Sequence, residues 1–447
     1  MTRVCIRLRG ASRAAATCVA AAFAVLWTPV ALAVLPIEHW TTSQGARVYF
    51  VRADAIPMLD VSLDLDAGAR RDPSGRAGLA SMTAGMLARG VRGMDEPAIA
   101  DAFADLGAQR GGGAGADRAG VSLRTLSSPR EREAAVALLA RLVSEPVFPE
   151  ALLARERERT IQALREARVR PDAIAQRAFW AQMYPQHPYG WESTPESVAA
   201  ITRDDLVDFH RRHYGASRAV VSMIGAITRA EAEAIAETLT RGLPRGEPPA
   251  PLPPVTAPQP TTRRIAHPAS QSHILIGAPA LERGNPDFFP LTVGNYVLGG
   301  GGFVSRLTAE VREKRGLSYS VYSYFSPMAQ AGPFVLGLQT QQAQTEQALE
   351  VVRATLERFV REGPTEAELE AARQNLVGGF ALRIDSNRKI LDNLATIGWY
   401  RLPLDWLERW PDAVRRVTVE QVRDAFARTI DPRRLVTVVV GAGDAAR

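Results

Sequence analysis

The chain has 447 residues, 46% of them hydrophobic and 23% charged. That is an ordinary globular composition, and the length exceeds a single core, so two domains of about 200 residues each are expected. A formal charge of +6 does not mark a nucleic-acid binder: Arg3, Arg7, Arg9 and Arg13 fall in a first segment without Asp or Glu, which leaves +2 for the rest, and no basic patch is interleaved with aromatics.

Residues 1–33 have the three parts of a secretory signal: the four arginines, an apolar run over 14–30, and the cleavage site Ala31-Leu32-Ala33. The run is broken by Thr17, Thr28 and Pro29 and is marginal for a membrane span. Cleavage before Val34 and export to the periplasm are therefore expected. Cys5 and Cys18 both lie in this segment, so the mature chain would hold no disulfide, thiolate metal site or cysteine nucleophile.

The next block, 34–243, opens with strand-like runs at 47–51 and 59–65, a loop at 67–76 and a helical segment at 77–88. A glycine-rich stretch, 111–115, reads as a surface turn or a flexible contact for substrate or partner. His210 and His213 are three apart on a probable helix but have no third ligand nearby, so they read as packing residues, as does His187. There is no G-x-S-x-G and no Ser, His and acid set for a serine hydrolase. The block closes with a strand at 219–224.

Residues 244–260 are proline-rich and form a semi-rigid linker. The block 261–447 then echoes the first: a strand at 272–277, a loop at 279–286, a helix at 289–298, four glycines at 299–302 and a final strand at 435–440. The fold expected is α+β, two similar domains in tandem, each a mostly antiparallel sheet with helices packed on it.

The stretch 298–325, LGGGGFVSRLTAEVREKRGLSYSVYSYF, is the most informative. Ser305 suits a helix N-cap, Phe303, Leu307 and Val311 make an apolar stripe, and Gly316 is a good stop. Arg312 then closes a helix, and Tyr319, seven positions on, opens a strand. Taken alone, such an arginine is usually a solvated cap and such a tyrosine usually packing. Phosphate binding by the glycines lacks a Walker lysine or a G-x-G-x-x-G.

The text LGGGGFVSRL followed by VREKRGLSYSVYS resembles the C-terminal half of the pitrilysin (insulinase-type) zinc peptidases. The resemblance extends over essentially the whole mature chain. It implies that Arg312 and Tyr319 reach into a peptide-binding cavity. In the first half, DAGARRDPSGRAGLASMTAGMLARG resembles the family's segment carrying H-x-x-E-H, in which two histidines hold zinc and the glutamate acts as base. The resemblance places those three positions at Ser81, Ala84 and Gly85. The third ligand, a glutamate on a later helix, falls at Gln162, or at Ala163 if the register slips by one. None of these is a competent zinc ligand or base, and no other H-x-x-E-H exists in the chain.

The family includes heterodimers in which one chain carries the zinc and the other supplies the Arg and Tyr. The resemblance therefore implies no zinc in this chain, zinc in a partner subunit, and a role for Arg312 and Tyr319 in binding peptide and steadying the oxyanion of hydrolysis. Peptidase activity is expected only in the complex. The alternative is a non-enzymatic periplasmic peptide-binding or assembly protein on an inactive peptidase fold.

Overall fold

The computed structural model describes residues 36–244, 246 and 250–441. The signal-like segment 1–33, with both cysteines, lies outside the described residues, as do 245, 247–249 and 442–447. From Ile37 onward the chain packs as one compact unit. Among the described residues no helix is long and apolar enough to cross a membrane.

The first sheet contains β1 (Glu38–Thr41), β2 (Arg47–Arg52), β3 (Met58–Leu65), β4 (Gln109–Ala114), β5 (Ala119–Leu126) and β6 (Val220–Gly225), in the order β1-β2-β6-β3-β5-β4. The second contains β7 (Thr261–Ala266), β8 (Gln271–Leu281), β9 (Val321–Phe325), β10 (Gly332–Gln341) and β11 (Val436–Gly441), in the order β7-β11-β8-β10-β9. Strand for strand, β2-β6-β3-β5-β4 repeats as β7-β11-β8-β10-β9. Each sheet has one parallel pair, β2 with β6 and β7 with β11, and is otherwise antiparallel. The central strands β6 (VVSMIG) and β11 (VTVVVG) are buried along their whole length, which is why they read as unbroken apolar runs instead of alternating ones.

The helical cover is exchanged between the halves. Helix α3 (Pro171–Met183) belongs to the first half by sequence but packs on β8 and β11 of the second sheet. Its Ala175, Phe179 and Met183 share one core with Leu275, Val436, Val438 and Val440. Reciprocally, α6 (Asn387–Tyr400) of the second half lies on β2, β3 and β6 of the first sheet. Gly398 makes that approach possible: a Cβ there would sit 2.7 Å from both Tyr49 and Val220. The bare carbonyl of Gly398 also accepts a 2.7 Å hydrogen bond from Arg47 Nη1.

Two local expectations are corrected. The stretch 111–115 is mostly strand: Gly111, Gly112 and Gly113 lie within β4, an exposed edge strand paired to β5, and only Gly115 enters the turn between them. Its glycines let β5 come close, since a Cβ at Gly112 would meet the Gly120 carbonyl at 2.5 Å. The four glycines 299–302 serve a different end. They finish a π-helical turn, Tyr296–Gly300, that follows α5 (Phe288–Asn295), and a Cβ at Gly299 would strike Ser323 of β9 at 2.4 Å. The two glycine-rich segments are therefore not equivalent members of the repeat. By position in the sheets, β4 corresponds to β9.

Candidate functional site

Residues 306–313 form a short helix whose second part, Thr308–Glu313, is π-wound. Ser305 caps it as expected: buried, in extended backbone, its Oγ accepts from the Thr308 amide at 3.4 Å. Leu307 and Val311 are fully buried and anchor the helix. Gly316, at φ +62°, ends it, with the Leu317 amide bonded to the Val311 carbonyl at 2.9 Å.

Phe303 does not join the apolar stripe. It lies before the cap, in a 3₁₀ turn (Gly302–Val304), and is 69% exposed, with Val304 exposed beside it. Its ring instead lies under Arg312, whose guanidinium carbon is 4.8 Å from the Phe303 centroid and 4.7 Å from that of Tyr319. Tyr319 does not open the strand either. It stands in a bend two residues before β9 begins at Val321, and is 84% exposed. That exposure leaves its hydroxyl free to meet a ligand.

The charges around Arg312 are arranged to leave it available. Glu310 accepts from Lys314 Nζ at 2.8 Å and Arg315 Nη1 at 2.7 Å, and those bonds hold its carboxyl below the usual range. Lys314 and Arg315 are thereby paired, whereas Arg312 has no carboxylate partner among the described residues. Along β9, Tyr322 and Tyr324 stack at 6.0 Å on the sheet face that α3 covers, both partly exposed. Phe303, Val304 and Tyr319 make an exposed apolar strip at Arg312, the kind of surface that meets a partner or ligand. Sequence pattern missed Phe303; its place between the glycines and the Ser305 cap, outside the helix, was the signal.

The corresponding edge of the first sheet carries the other predicted positions. Helix α1 (Leu79–Met86) packs beside β4 and β5 and near α2 (Glu150–Ala167). Asp72 caps α1, accepting from the Gly78 and Ala80 amides at 2.7 Å each. Burial pushes its carboxyl up to about 6 despite those bonds. On α1, Ser81 and Gly85 are exposed, Ala84 is half-buried, and a Cβ at Gly85 would meet open space. Gln162, on α2, is exposed and donates to Glu166 at 3.4 Å. Thus Ser81, Ala84, Gly85 and Gln162 sit by one sheet edge, and Arg312 and Tyr319 by the equivalent edge of the other sheet.

His187, His210 and His213 are held by packing and backbone contacts. His210 is buried, with Nε2 2.7 Å from the Val143 carbonyl, and burial lowers its pKa. His213 packs on Phe209 and is pushed down to about 4, chiefly by burial. His187 Nδ1 accepts from the Tyr189 amide at 3.1 Å.

A solved structure described as the peptidase M16 inactive domain from Pseudomonas fluorescens is 36% identical and superposes with a TM-score of 0.88, over 92% of this chain and 99% of that one. The chain belongs to the M16, pitrilysin-type, peptidase family. The family profile described as "Peptidase M16 inactive domain" matches residues 200–376. The uncharacterized zinc protease YmxG of Bacillus subtilis is 25% identical over 80% of this chain and 87% of its own length. The uncharacterized zinc protease ML0855 of Mycobacterium leprae is 32% identical over 59% of this chain, a match spanning 60% of that protein. A protease from Helicobacter pylori shares the M16 fold at 16% identity and a TM-score of 0.81.

Zinc, which the M16 family implies, does not fit this chain. Ala84 and Gly85 offer no ligand atom, and Ser81 and Gln162 are neutral oxygens on exposed surface. Among the described residues no group of three or more His, Cys, Asp or Glu is placed to hold a metal ion. The M16 fold is here carried by a chain without the family's metal-binding residues.

Proposed function

We propose that this chain is the non-zinc subunit of a two-chain M16 peptidase, exported to the periplasm, in which a zinc-bearing partner hydrolyses peptides and this chain supplies Arg312 and Tyr319. The observation that carries the reading is an exposed, carboxylate-free Arg312–Tyr319 couple in the same polypeptide as Ser81, Gly85 and Gln162 at the expected zinc-ligand positions and Ala84 at the expected base position. Arg312 can hold a peptide carbonyl or carboxylate with its fork. The Tyr319 hydroxyl can donate to the charge that develops on the carbonyl oxygen as the peptide bond breaks. Neither role needs a metal in this chain, only correct placement against the partner.

A second reading is favoured by β4. Its sequence QRGGGA presents an unpaired backbone edge with almost no side chains in the way, suited to adding an extended peptide as a further strand. A non-enzymatic peptide-binding or assembly protein would use that edge alone.

The deciding experiment mixes the purified chain with the product of a neighbouring gene carrying H-x-x-E-H and a later glutamate. Zinc content and cleavage of an unfolded peptide are measured for each alone and together. Cleavage by the mixture only supports the subunit reading. Peptide binding without any gain in cleavage supports the second. Stoichiometric zinc with peptidase activity in the single chain overturns both.

A further inference from the structure

A cavity of about 530 Å³ opens where the two halves meet, a size typical of small-molecule sites. The charge of its described residues is one-sided. Arg47, Arg70 and Arg218 line it from the first half and Arg283 and Arg401 from the second, and among the described residues the one carboxylate in its wall is Asp66.

Asp66 is already committed, accepting from Arg70, Arg71 and Arg218 at 2.7–3.0 Å. The nearby Asp117 is committed too: it takes Arg70, the hydroxyls of Tyr189 and Tyr400, and the Ala329 amide. Arg283 and Arg401 have no carboxylate partner among the described residues. The Nε of Arg283 is buried without an acceptor among the described residues, and its guanidinium is braced over the rings of Phe288 and Tyr400. Burial lowers its pKa, as it does that of Arg47, where the Arg401 charge adds to the effect.

Arg401 carries a second, independent mark. It terminates α6 in the left-handed region, at φ +54°, a position that glycine fills at no steric cost. An arginine held there against its backbone preference delivers a cation to the cavity rim, and strain of this kind gathers at functional sites.

We propose that this cavity is a binding site for a small oxyanion of the phosphate class carrying two or more negative charges. Guanidinium forks match phosphate oxygens two at a time. The unpaired forks of Arg283 and Arg401, with the remaining donors of Arg47, exceed what one planar carboxylate accepts. The bound anion would join β2 of the first sheet to the end of α6 and the loop after β8, and so clamp the halves together. This site stands apart from the Arg312–Tyr319 strip and does not depend on a partner chain.

The test is calorimetric titration and thermal melting of the purified chain with inorganic tripolyphosphate, with citrate as the carboxylate control, at fixed ionic strength. Tripolyphosphate is expected to bind saturably at one site and raise Tm. Arg401→Gly should keep or raise the Tm of the free protein, because glycine suits that backbone, while weakening the anion about tenfold or more. Arg283→Gln should weaken it similarly. No saturable binding, full binding by both variants, or citrate binding as tight as tripolyphosphate each overturns the proposal.

Discussion

Arg312 and Tyr319 touch: the guanidinium carbon lies 4.7 Å from the tyrosine ring centroid, and the ring is 84% exposed. The same cation also lies over the Phe303 ring, at 4.8 Å. An arginine so braced is pre-positioned by rings instead of by a carboxylate, and it keeps its full charge for a ligand. The first prediction concerns this couple. In the two-chain complex, Arg312→Ala and Tyr319→Phe should each lower peptide turnover about tenfold or more, with co-elution on size exclusion unchanged. Turnover equal to wild type in both variants would reduce the pair to surface packing.

Phe303→Ala separates bracing from folding. The side chain is largely exposed, so unfolding free energy should move by no more than about 0.5 kcal/mol. Loss of one ring beneath Arg312 removes about 0.5–1 kcal/mol of cation–π stabilisation, which should lower turnover of the complex by about threefold. A large drop in denaturation midpoint would instead place Phe303 in the core.

The degenerate metal positions can be refilled. Gly85 faces open space and Ser81 and Gln162 are exposed, so Ser81→His, Ala84→Glu, Gly85→His and Gln162→Glu combined should fit without repacking. After dialysis against metal-free buffer, the fourfold variant should retain about one zinc per chain and the natural chain none. Elemental analysis that finds equal zinc in the two would refute the assignment of these positions.

Gly398→Leu should unfold both halves at once. The new side chain has no room between Tyr49 and Val220, and overpacking of this kind costs about 1–3 kcal/mol or more. Because α6 covers the first sheet while α3 covers the second, calorimetry should show one cooperative transition, shifted down. A transition that splits, with one half unaffected, would mean that the exchanged helices do not couple the halves.

Asp66 sets an acid limit. Burial opposes its charge, but the bonds from Arg71 and Arg70 and their charges outweigh that and lower its pKa to about 2 from 3.8. A carboxylate lowered in the folded state stabilises above its unfolded pKa, and that contribution disappears as pH falls from about 4 through 2. The displacement corresponds to about 2.5 kcal/mol. Denaturant titrations at pH 2–6 should show this loss in the natural chain and a flatter profile in Asp66→Asn.

The sequence by itself determined what depends on residue identity and local spacing. Ser81, Ala84, Gly85 and Gln162 lack ligand chemistry whatever surrounds them. The repeat was legible because equivalent strands alternate or run apolar in the same order, and β6 and β11 sit at the same place in their sheets. The Ser305 cap and the Gly316 stop were legible because a helix end is a matter of a few adjacent residues.

Tertiary structure alone decided what depends on distant segments meeting. Arg47 and Gly398 are 351 residues apart and hydrogen-bonded, and no periodicity in either segment announces that α6 covers the other half's sheet. Side-chain pattern placed Phe303 on a buried stripe, but the turn before Ser305 swings it out beneath Arg312. The glycines of β4 looked like a turn because glycine tolerates one; pairing with β5 made them an edge strand. The arginines of the central cavity are scattered from 47 to 401 and converge only when the two halves close on each other. Local propensity fixes the elements, whereas burial of their apolar faces chooses which ones meet.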